Sequence, residues 1–433
     1  MTAAPGEETI FALSSGSPPA AVAVVRISGP ATASAVKILA GRLPPPRRAV
    51  LATLRDQAGD PLDRALLLWL PGPSTATGED MGELHLHGGR AVVAVVLDAL
   101  EKLPGLRAAR AGEFTRRAFF NGRIDLAEAE GLADLLAAET ELQRRQALRL
   151  VDGGLGRMIA DWRTRLIQLA AHVEAVIDFG DEEADVPGLD DGEMAACDAL
   201  SAEIATALAQ PPAERLRDGV RILIAGPPNA GKSSLINGIS GREAAITSPV
   251  AGTTRDLIEV PLRLGGIPVL LIDSAGLRAS DDEVEQIGVT RAWDAVARAD
   301  IVIWLGAAAD APDIPSRRII VHARADLPGR RDLPPTAELA VSIMDKASVD
   351  RLRDLIAAEA SRLLGSDGLL LNQRQASLLG EARTHLEAAT RCRDLIVRAE
   401  EFRSACGALD RITGKHAFDE MLDALFGSFC IGK

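Results

Sequence analysis

At 433 residues the chain is too long for one compact core, and at about 100–200 residues per domain it should hold roughly two to four. Its 47% hydrophobic content supports folded domains throughout, and a net charge of −13 excludes a protein whose whole surface is an electrostatic trap for nucleic acid, leaving a local basic patch open. No apolar run approaches the ~18–20 residues of a membrane span, Met1-Thr-Ala-Ala-Pro-Gly-Glu-Glu8 lacks the basic, then apolar, start of a signal peptide, and Cys197, Cys392, Cys406 and Cys430 form no C-x-x-C pair. A cytoplasmic protein with neither a zinc ribbon nor a disulfide framework is therefore expected.

Residues 1 to about 120 read as mixed α/β. Ala21-Val-Ala-Val-Val-Arg-Ile27 and Arg64-Ala-Leu-Leu-Leu-Trp-Leu70 are strand-like, Gly89 to Leu103 has helical spacing, and Pro44-Pro-Pro46 and Pro71-Gly-Pro73 mark loops. Period-two spacing puts Glu83, His85 and His87 on one strand face. That trio invites a metal reading, but no further ligands follow at recognisable spacing, so an edge or a small-ligand pocket is preferred. From Ile124 the pattern turns to long helices. Leu155, Ile159, Trp162, Leu166, Leu169, Val173 and Val176 recur at three- and four-residue steps, an apolar stripe that needs a partner helix. The acidic Asp178 to Asp185 reads as a solvated helix end or hinge rather than a cation site.

Next comes Gly226-Pro-Pro-Asn-Ala-Gly-Lys-Ser-Ser234, between the apolar run Val220 to Ala225 and a helix-like Leu235 to Ile239. This pattern is a phosphate-binding loop. Gly226 and Gly231 let the backbone curl so that amides, including those of Asn229, Ala230, Gly231 and Ser234, surround phosphate oxygens at a helix N-terminus. Lys232 then reaches the β- and γ-phosphates, and Ser233 a bound Mg²⁺. Ser248-Pro-Val-Ala-Gly-Thr-Thr-Arg-Asp256 reads as a switch segment whose Thr254 completes the Mg²⁺ shell. The strand-like Ile267 to Ile272 ends in Asp273-Ser-Ala-Gly276, offering a carboxylate for Mg²⁺ and the Gly276 amide for the γ-phosphate. Leu277 stands where many small GTPases carry a water-orienting Gln, and Asp281-Asp-Glu-Val-Glu285 could supply the missing carboxylate. By residue chemistry alone, that acidic run is a solvated helix start.

Guanine recognition, normally Asn-Lys-x-Asp, is eroded to Ala323-Arg-Ala-Asp326. Only Ala307 to Arg317 separates the strand Ile301 to Leu305 from Ile319 to Val321, barely the ~10–12 residues of a helical crossover. Helical spacing then resumes, with Leu371, Leu378, Leu379, Leu386, Leu395 and Ile396 fitting one long helix. A helical bundle split by an inserted domain explains the order, the insert running from about 219 to 365.

Taken together, Val25-Arg-Ile-Ser-Gly29, Thr77-Gly-Glu-Asp80, Gly112-Glu-Phe114 with Asn121, the phosphate loop, Ala251 to Asp256, Asp273 to Arg278 and the terminal Phe429-Cys-Ile-Gly-Lys433 resemble the MnmE (TrmE) family of tRNA-modifying GTPases over nearly the whole chain. The resemblance implies a multidomain α/β plus all-α fold. Its parts are an N-terminal folate-binding and dimerisation domain at 1–121, a helical domain at 122–218 and 366–433, and an inserted Ras-like P-loop GTPase domain at 219–365. It implies K⁺ held by Asn229, Ser248, Val250 and Thr253, Mg²⁺ held by Ser233 and Thr254, and Glu285 acting through water on the nucleophile. GTP would be bound by the phosphate loop with Ser248, Thr253, Thr254, Asp273, Gly276 and Asp326. It further implies 5-formyl- or 5,10-methylene-tetrahydrofolate bound by Arg26, Glu83, Arg123 and Lys433, and a homodimer whose G domains pair on GTP. With an FAD-dependent partner of the MnmG (GidA) type, such a complex modifies C5 of the wobble uridine in certain tRNAs. Cys430, which as a cysteine on a short amphipathic helix would ordinarily be core, becomes a candidate for the modification chemistry. Two other readings compete: an RNA- or ribosome-associated GTPase switch without modification chemistry, and a folate-binding scaffold with a degenerate G domain.

Overall fold

The structure, a computed structural model, describes residues 8–179, 191–241, 259–273, 297–314, 316–330, 332–365, 368–415, 419–427 and 429–432. Contacts divide the chain into two compact units, residues 1–133, 150–163 and 409–433, and residues 134–149 and 164–408.

The first unit opens with β1 (Thr9–Leu13), β2 (Val22–Ser28), α1 (Thr32–Ala40), β3 (Val50–Arg55), β4 (Pro61–Leu70), β5 (Met81–His87), α2 (Arg90–Glu101) and β6 (Leu106–Ala108). The strands form a sheet in the order β3-β4-β5-β2-β1-β6, with only β1 and β6 parallel. Alternation sorts the two faces. Val25, Ile27, Leu67 and Leu84 pack under Val36 and Leu39 of α1 and Val96 and Leu100 of α2. The opposite face of β3, β4 and β5 carries Leu51, Leu66 and His85 as cross-strand neighbours, with Leu51 and Leu66 exposed.

Helices α3 (Glu113–Phe120) and α4 (Leu126–Ala137) follow. A reciprocal cap opens α4: Asp125 Oδ1 accepts from the Glu128 amide at 2.7 Å, and Glu128 Oε2 from the Asp125 amide at 2.6 Å. The chain's last helix, α13 (Asp419–Gly427), closes this unit against α3, with Leu126, Leu422, Phe426 and Phe429 buried together.

The helices α5 (Glu141–Val151), α6 (Gly154–Phe179), α7 (Asp191–Leu208) and α8 (Ala213–Arg217) lead into the second sheet. All seven positions of the α6 stripe, Leu155 to Val176, are at most 7% exposed, so the period seen in the sequence is a packing seam. Along β7 (Val220–Ala225) all but one residue is buried, as a parallel strand covered on both faces requires. It is followed by α9 (Lys232–Ser240), β8 (Glu259–Leu264), β9 (Ile267–Asp273), β10 (Ile301–Trp304), β11 (Arg317–Ala323), β12 (Leu339–Val341) and α10 (Lys346–Leu364). The sheet order is β12-β11-β10-β7-β9-β8, parallel except for the β8–β9 hairpin. Ile222, Ile224, Ile301, Ile303, Ile319 and Val321 form one core with Leu235 and Ile239 of α9 and Leu352 and Ile356 of α10. Among its described residues the β10–β11 connection holds only a 3-10 turn, Ala308–Asp310, consistent with its shortness in the sequence.

The long helix expected from Leu371 to Ile396 is two helices, α11 (Gln373–Arg391) and α12 (Leu395–Thr413). Asn372 and Gln375 form a capping box that starts the first, leaving Leu371 before it. Asp394 breaks the run. Its Oδ1 accepts from the amides of Ile396 and Val397 at 2.9 and 3.2 Å, capping α12, while buried Arg398 donates from Nε to the Ala389 carbonyl at 3.0 Å. Ile396, placed on the apolar stripe by periodicity, is 70% exposed.

Candidate functional site

The phosphate loop leaves β7 and enters α9 through Gly231, whose φ of +96° is the left-handed conformation that glycine adopts without strain. Asn229 also has a positive φ, +58°, which its short polar side chain tolerates better than most. Lys232, 8% exposed, donates from Nζ to the carbonyls of Gly226 at 2.9 Å and Pro227 at 3.0 Å, so the ammonium lies across the loop. Ser233 Oγ donates to Asp273 Oδ2 at 2.8 Å. The register that pairs Ile224 with Asp273 delivers that buried carboxylate to the end of β7. A hydroxyl and a carboxylate side by side form the oxygen set that a hard divalent cation such as Mg²⁺ prefers. Ala230 and Ser234 lie in the same loop and helix start.

At the base end, Ala323 closes β11 and Asp326 follows it. Asp326 Oδ1 accepts from Ser342 Oγ at 2.5 Å, and this hydrogen bond holds the carboxyl below its ordinary range. Ser342, 4% exposed just beyond β12, also accepts at Oγ from the Met344 amide at 3.1 Å, fixing the hydroxyl that aims Asp326. In the sequence Ser342 is marked only by being a hydroxyl directly after a short apolar strand. Arg324, at φ +57°, crosses the loop, its Nε 3.5 Å from where a Cβ on Gly231 would stand. These residues gather at the carboxyl ends of β7, β9 and β11, the usual ligand crevice of an open parallel sheet. Ser248, Val250, Thr253, Thr254, Gly276 and Glu285 lie outside the described residues.

In the first unit, Arg26 on β2 stands directly across from Glu83 on β5. Arg26 donates to Glu83 Oε1 from Nε at 3.2 Å and Nη2 at 3.0 Å, and His85 Nε2 lies 3.2 Å from Oε2. Burial pushes the Glu83 carboxyl up, but the hydrogen bonds and charges of His85 and Arg26 outweigh it and leave it below the usual range. His87 instead pairs through Nδ1 with Asp63 at 2.7 Å. Arg123 donates from Nε to the Thr75 carbonyl at 3.1 Å, on the loop between β4 and β5, with no bond to the Arg26–Glu83 pair.

Three of the N-terminal stretches that carry the resemblance meet in one hydrogen-bonded knot. Ser28 Oγ lies 2.7 Å from Thr77 Oγ1 and donates to Glu79 Oε2 at 2.7 Å; Arg117 donates to the same carboxylate at 2.8 Å; Asn121 Nδ2 donates to the Thr77 carbonyl at 2.7 Å. Thr77-Gly-Glu-Asp80 thus staples its loop to β2 and α3.

The C-terminal segment returns to this sheet. Phe429, 6% exposed, anchors it, Ile431 bridges Ala111, and Ser14 Oγ donates to the Gly432 carbonyl at 2.8 Å. Gly432 has φ +94°, and a Cβ there would meet the Leu13 carbonyl oxygen at 2.2 Å. Lys433 lies outside the described residues. Cys430 follows α13 rather than lying on it and is exposed, contrary to the core position that an amphipathic helix suggested. The anchor is Phe429, so its neighbour faces out.

Among the described residues no helix is long and apolar enough to cross a membrane. A family model described as GTP-binding protein TrmE N-terminus matches residues 9–123, and one described as MnmE helical domain matches residues 126–430. The chain is 55% identical to the tRNA modification GTPase MnmE of Rhizorhabdus wittichii, covering 99% of this chain and 98% of that one. It is 54% identical to that of Sphingopyxis alaskensis, over 94% of this chain and 100% of the relative, and 48% identical to that of Zymomonas mobilis, over 98% and 100%. Among solved structures, the G domain of the T. maritima FeoB iron transporter matches at 21% identity and a TM-score of 0.24, over 33% of this chain and 98% of that one. The chain belongs to the MnmE family of tRNA modification GTPases.

Proposed function

We propose that this chain is a K⁺-dependent GTPase which, with an FAD-dependent partner of the MnmG type, modifies C5 of the wobble uridine in certain tRNAs with a one-carbon unit from tetrahydrofolate. The observation that carries the reading is the C-terminal segment bound beside the N-terminal sheet, which puts Cys430 in the same unit as the Arg26–Glu83 pair. A folate glutamate tail suits Arg26, Arg123 and Lys433, and the pterin donor edge suits the ionised Glu83. The apolar, half-exposed face around Leu51 and Leu66 would meet a second copy, making the functional form a cytoplasmic homodimer.

In the nucleotide groove, Lys232 would leave its loop carbonyls for the β- and γ-phosphates, the Gly276 amide would meet the γ-phosphate, and Glu285 would orient the attacking water. Ser233, Asp273 and Thr254 would hold Mg²⁺, and Asn229 with Ser248, Val250 and Thr253 would hold K⁺; these cations supply positive charge against the phosphates. Residues 219–365 would form an inserted G domain between helical parts 122–218 and 366–433, after an N-terminal domain at 1–121. Its entry and exit run together: the Ala213 amide donates to the Leu371 carbonyl at 2.9 Å, and the Gln373 amide to Glu214 Oε1 at 2.8 Å.

Mass analysis of wobble uridines in a deletion strain, complemented by the parent, Lys232→Ala or Cys430→Ser, tests the reading. The parent should restore the modified base and both variants should fail. Restoration by Cys430→Ser would remove the thiol from the chemistry, and no change in the deletion strain would overturn the modification reading. GTP hydrolysis should also run much faster in K⁺ than in Na⁺; equal turnover would sink the K⁺ assignment.

A further inference from the structure

Behind the phosphate loop lies a cavity of about 430 Å³ that none of the nucleotide-groove side chains Lys232, Ser233, Asp273, Asp326 or Ser342 lines. It opens where the sheet's crossovers are short. A parallel connection is usually helical. Among their described residues, the link from β10 to β11 has only a 3-10 turn and that from β11 to β12 has no helix. Leu305, Ile320 and Leu327 give the cavity apolar lining, Arg324 and Arg330 give it cationic groups, and His322 lies beside them.

Among the described residues no acidic side chain lines it, although Asp and Glu outnumber Lys and Arg by 61 to 48 in the whole chain. Arg330 is held by Nε donating to the Ala323 carbonyl at 3.1 Å, and its own carbonyl faces His322 Nε2 at 2.9 Å. Neither Arg324 nor Arg330 forms an ion pair among the described residues. Arg324 feels the Asp326 carboxylate only as a charge at longer range, so both guanidinium forks remain open to hydrogen-bond an anion at the edge of an apolar bowl of ligand size.

We propose that this cavity binds a small organic anion, an apolar body bearing one carboxylate or phosphate, and that the ligand is coupled to GTP through Asn229 and Arg324. Asn229 belongs to both the cavity wall and the phosphate loop, and Arg324 reaches from the wall to Gly231. An anion that draws Arg324 toward the cavity changes the cover on the nucleotide groove. Linkage then requires GTP to change the anion's affinity by the same factor.

The probe is 8-anilinonaphthalene-1-sulfonate, followed by fluorescence on the full-length protein at rising GDP concentrations. The expected result is one site per chain whose affinity shifts with GDP to a plateau. A fall without limit would place the probe in the nucleotide groove and overturn the proposal. Arg330→Gln should weaken probe binding roughly tenfold, through loss of a charge-assisted contact. Arg330→Lys should keep part of it. Ala337→Phe, which fills the cavity from another wall, should abolish probe binding with GDP affinity retained, and it covers the case in which Arg330→Gln does not fold. Undiminished binding in a folded Ala337→Phe would also overturn the proposal. Displacement by benzoate or phenyl phosphate identifies the head group, and equal displacement by neutral benzamide would refute the anion requirement.

Discussion

The two ends of the nucleotide groove are built in opposite ways. At the phosphate end, Gly226 to Ser234 is one continuous stretch, and Asp273 meets it from the end of another strand. At the base end, Asp326 depends on Ser342, 16 positions away, and Arg324 reaches back to Gly231. A contiguous site stands or falls as a unit because each amide fixes the next. An assembled site can lose one member, as it has at Ala323, and keep the rest.

The largest expected effect is at the contiguous end. Lys232→Ala removes the cation that would meet the phosphates and should lower kcat/KM for GTP by about 10²–10³-fold, as deletion of other preorganised transition-state contacts does. Single-turnover phosphate release measures it, and unchanged turnover would place the phosphate site elsewhere.

At the assembled end, Asp326→Asn should weaken GTP binding about tenfold or more and shift preference toward XTP, because the carboxylate can accept from both guanine N1–H and the exocyclic amine. Calorimetric titration of GTP, ATP and XTP reads this. If ATP binds the parent as well as GTP does, Asp326 is not reading the base. Ala323→Asn should tighten GTP roughly fivefold, the lower end of what a restored hydrogen-bonding amide contributes, since the Arg324 stem already covers this region. Ser342→Ala should loosen GTP roughly threefold by leaving Asp326 unaimed. An effect as large as that of Asp326→Asn would mean that Ser342 touches the base itself.

The Arg26–Glu83 pair is a second assembled site, and the smallest effect is expected there. The Glu83 carboxyl lies below its ordinary 4.5 when folded, so its contribution is present above that pH and is lost as pH falls through the folded value. The stability lost in Glu83→Gln should be about 1 kcal/mol or less, given partial exposure, and should vanish in acid. Denaturant melts at pH 7 and pH 3.5 compare the two proteins. A gap that widens at low pH would contradict the sign.

Periodicity and contiguity made part of this protein legible. The α6 stripe could be read because a helix repeats every 3.6 residues, and the phosphate loop because its donors are consecutive amides. Periodicity failed at Asp394, where a single cap divides two helices that share a pattern. It failed also at Cys430, whose exposure follows from Phe429 taking the anchoring place. Thr77-Gly-Glu-Asp80 was recognisable as a motif, but its physical purpose was not.

By itself, then, the sequence determined the α6 stripe, several of the strands, the phosphate loop and the erosion of the base motif, all properties of residues near one another in the chain. The tertiary structure alone decided that Ser342 aims Asp326, that the C-terminal segment lies against β1, and that short crossovers leave a cationic cavity behind the loop. Those features depend on strand order and register, which bring together residues whose separation along the chain carries no periodic signal.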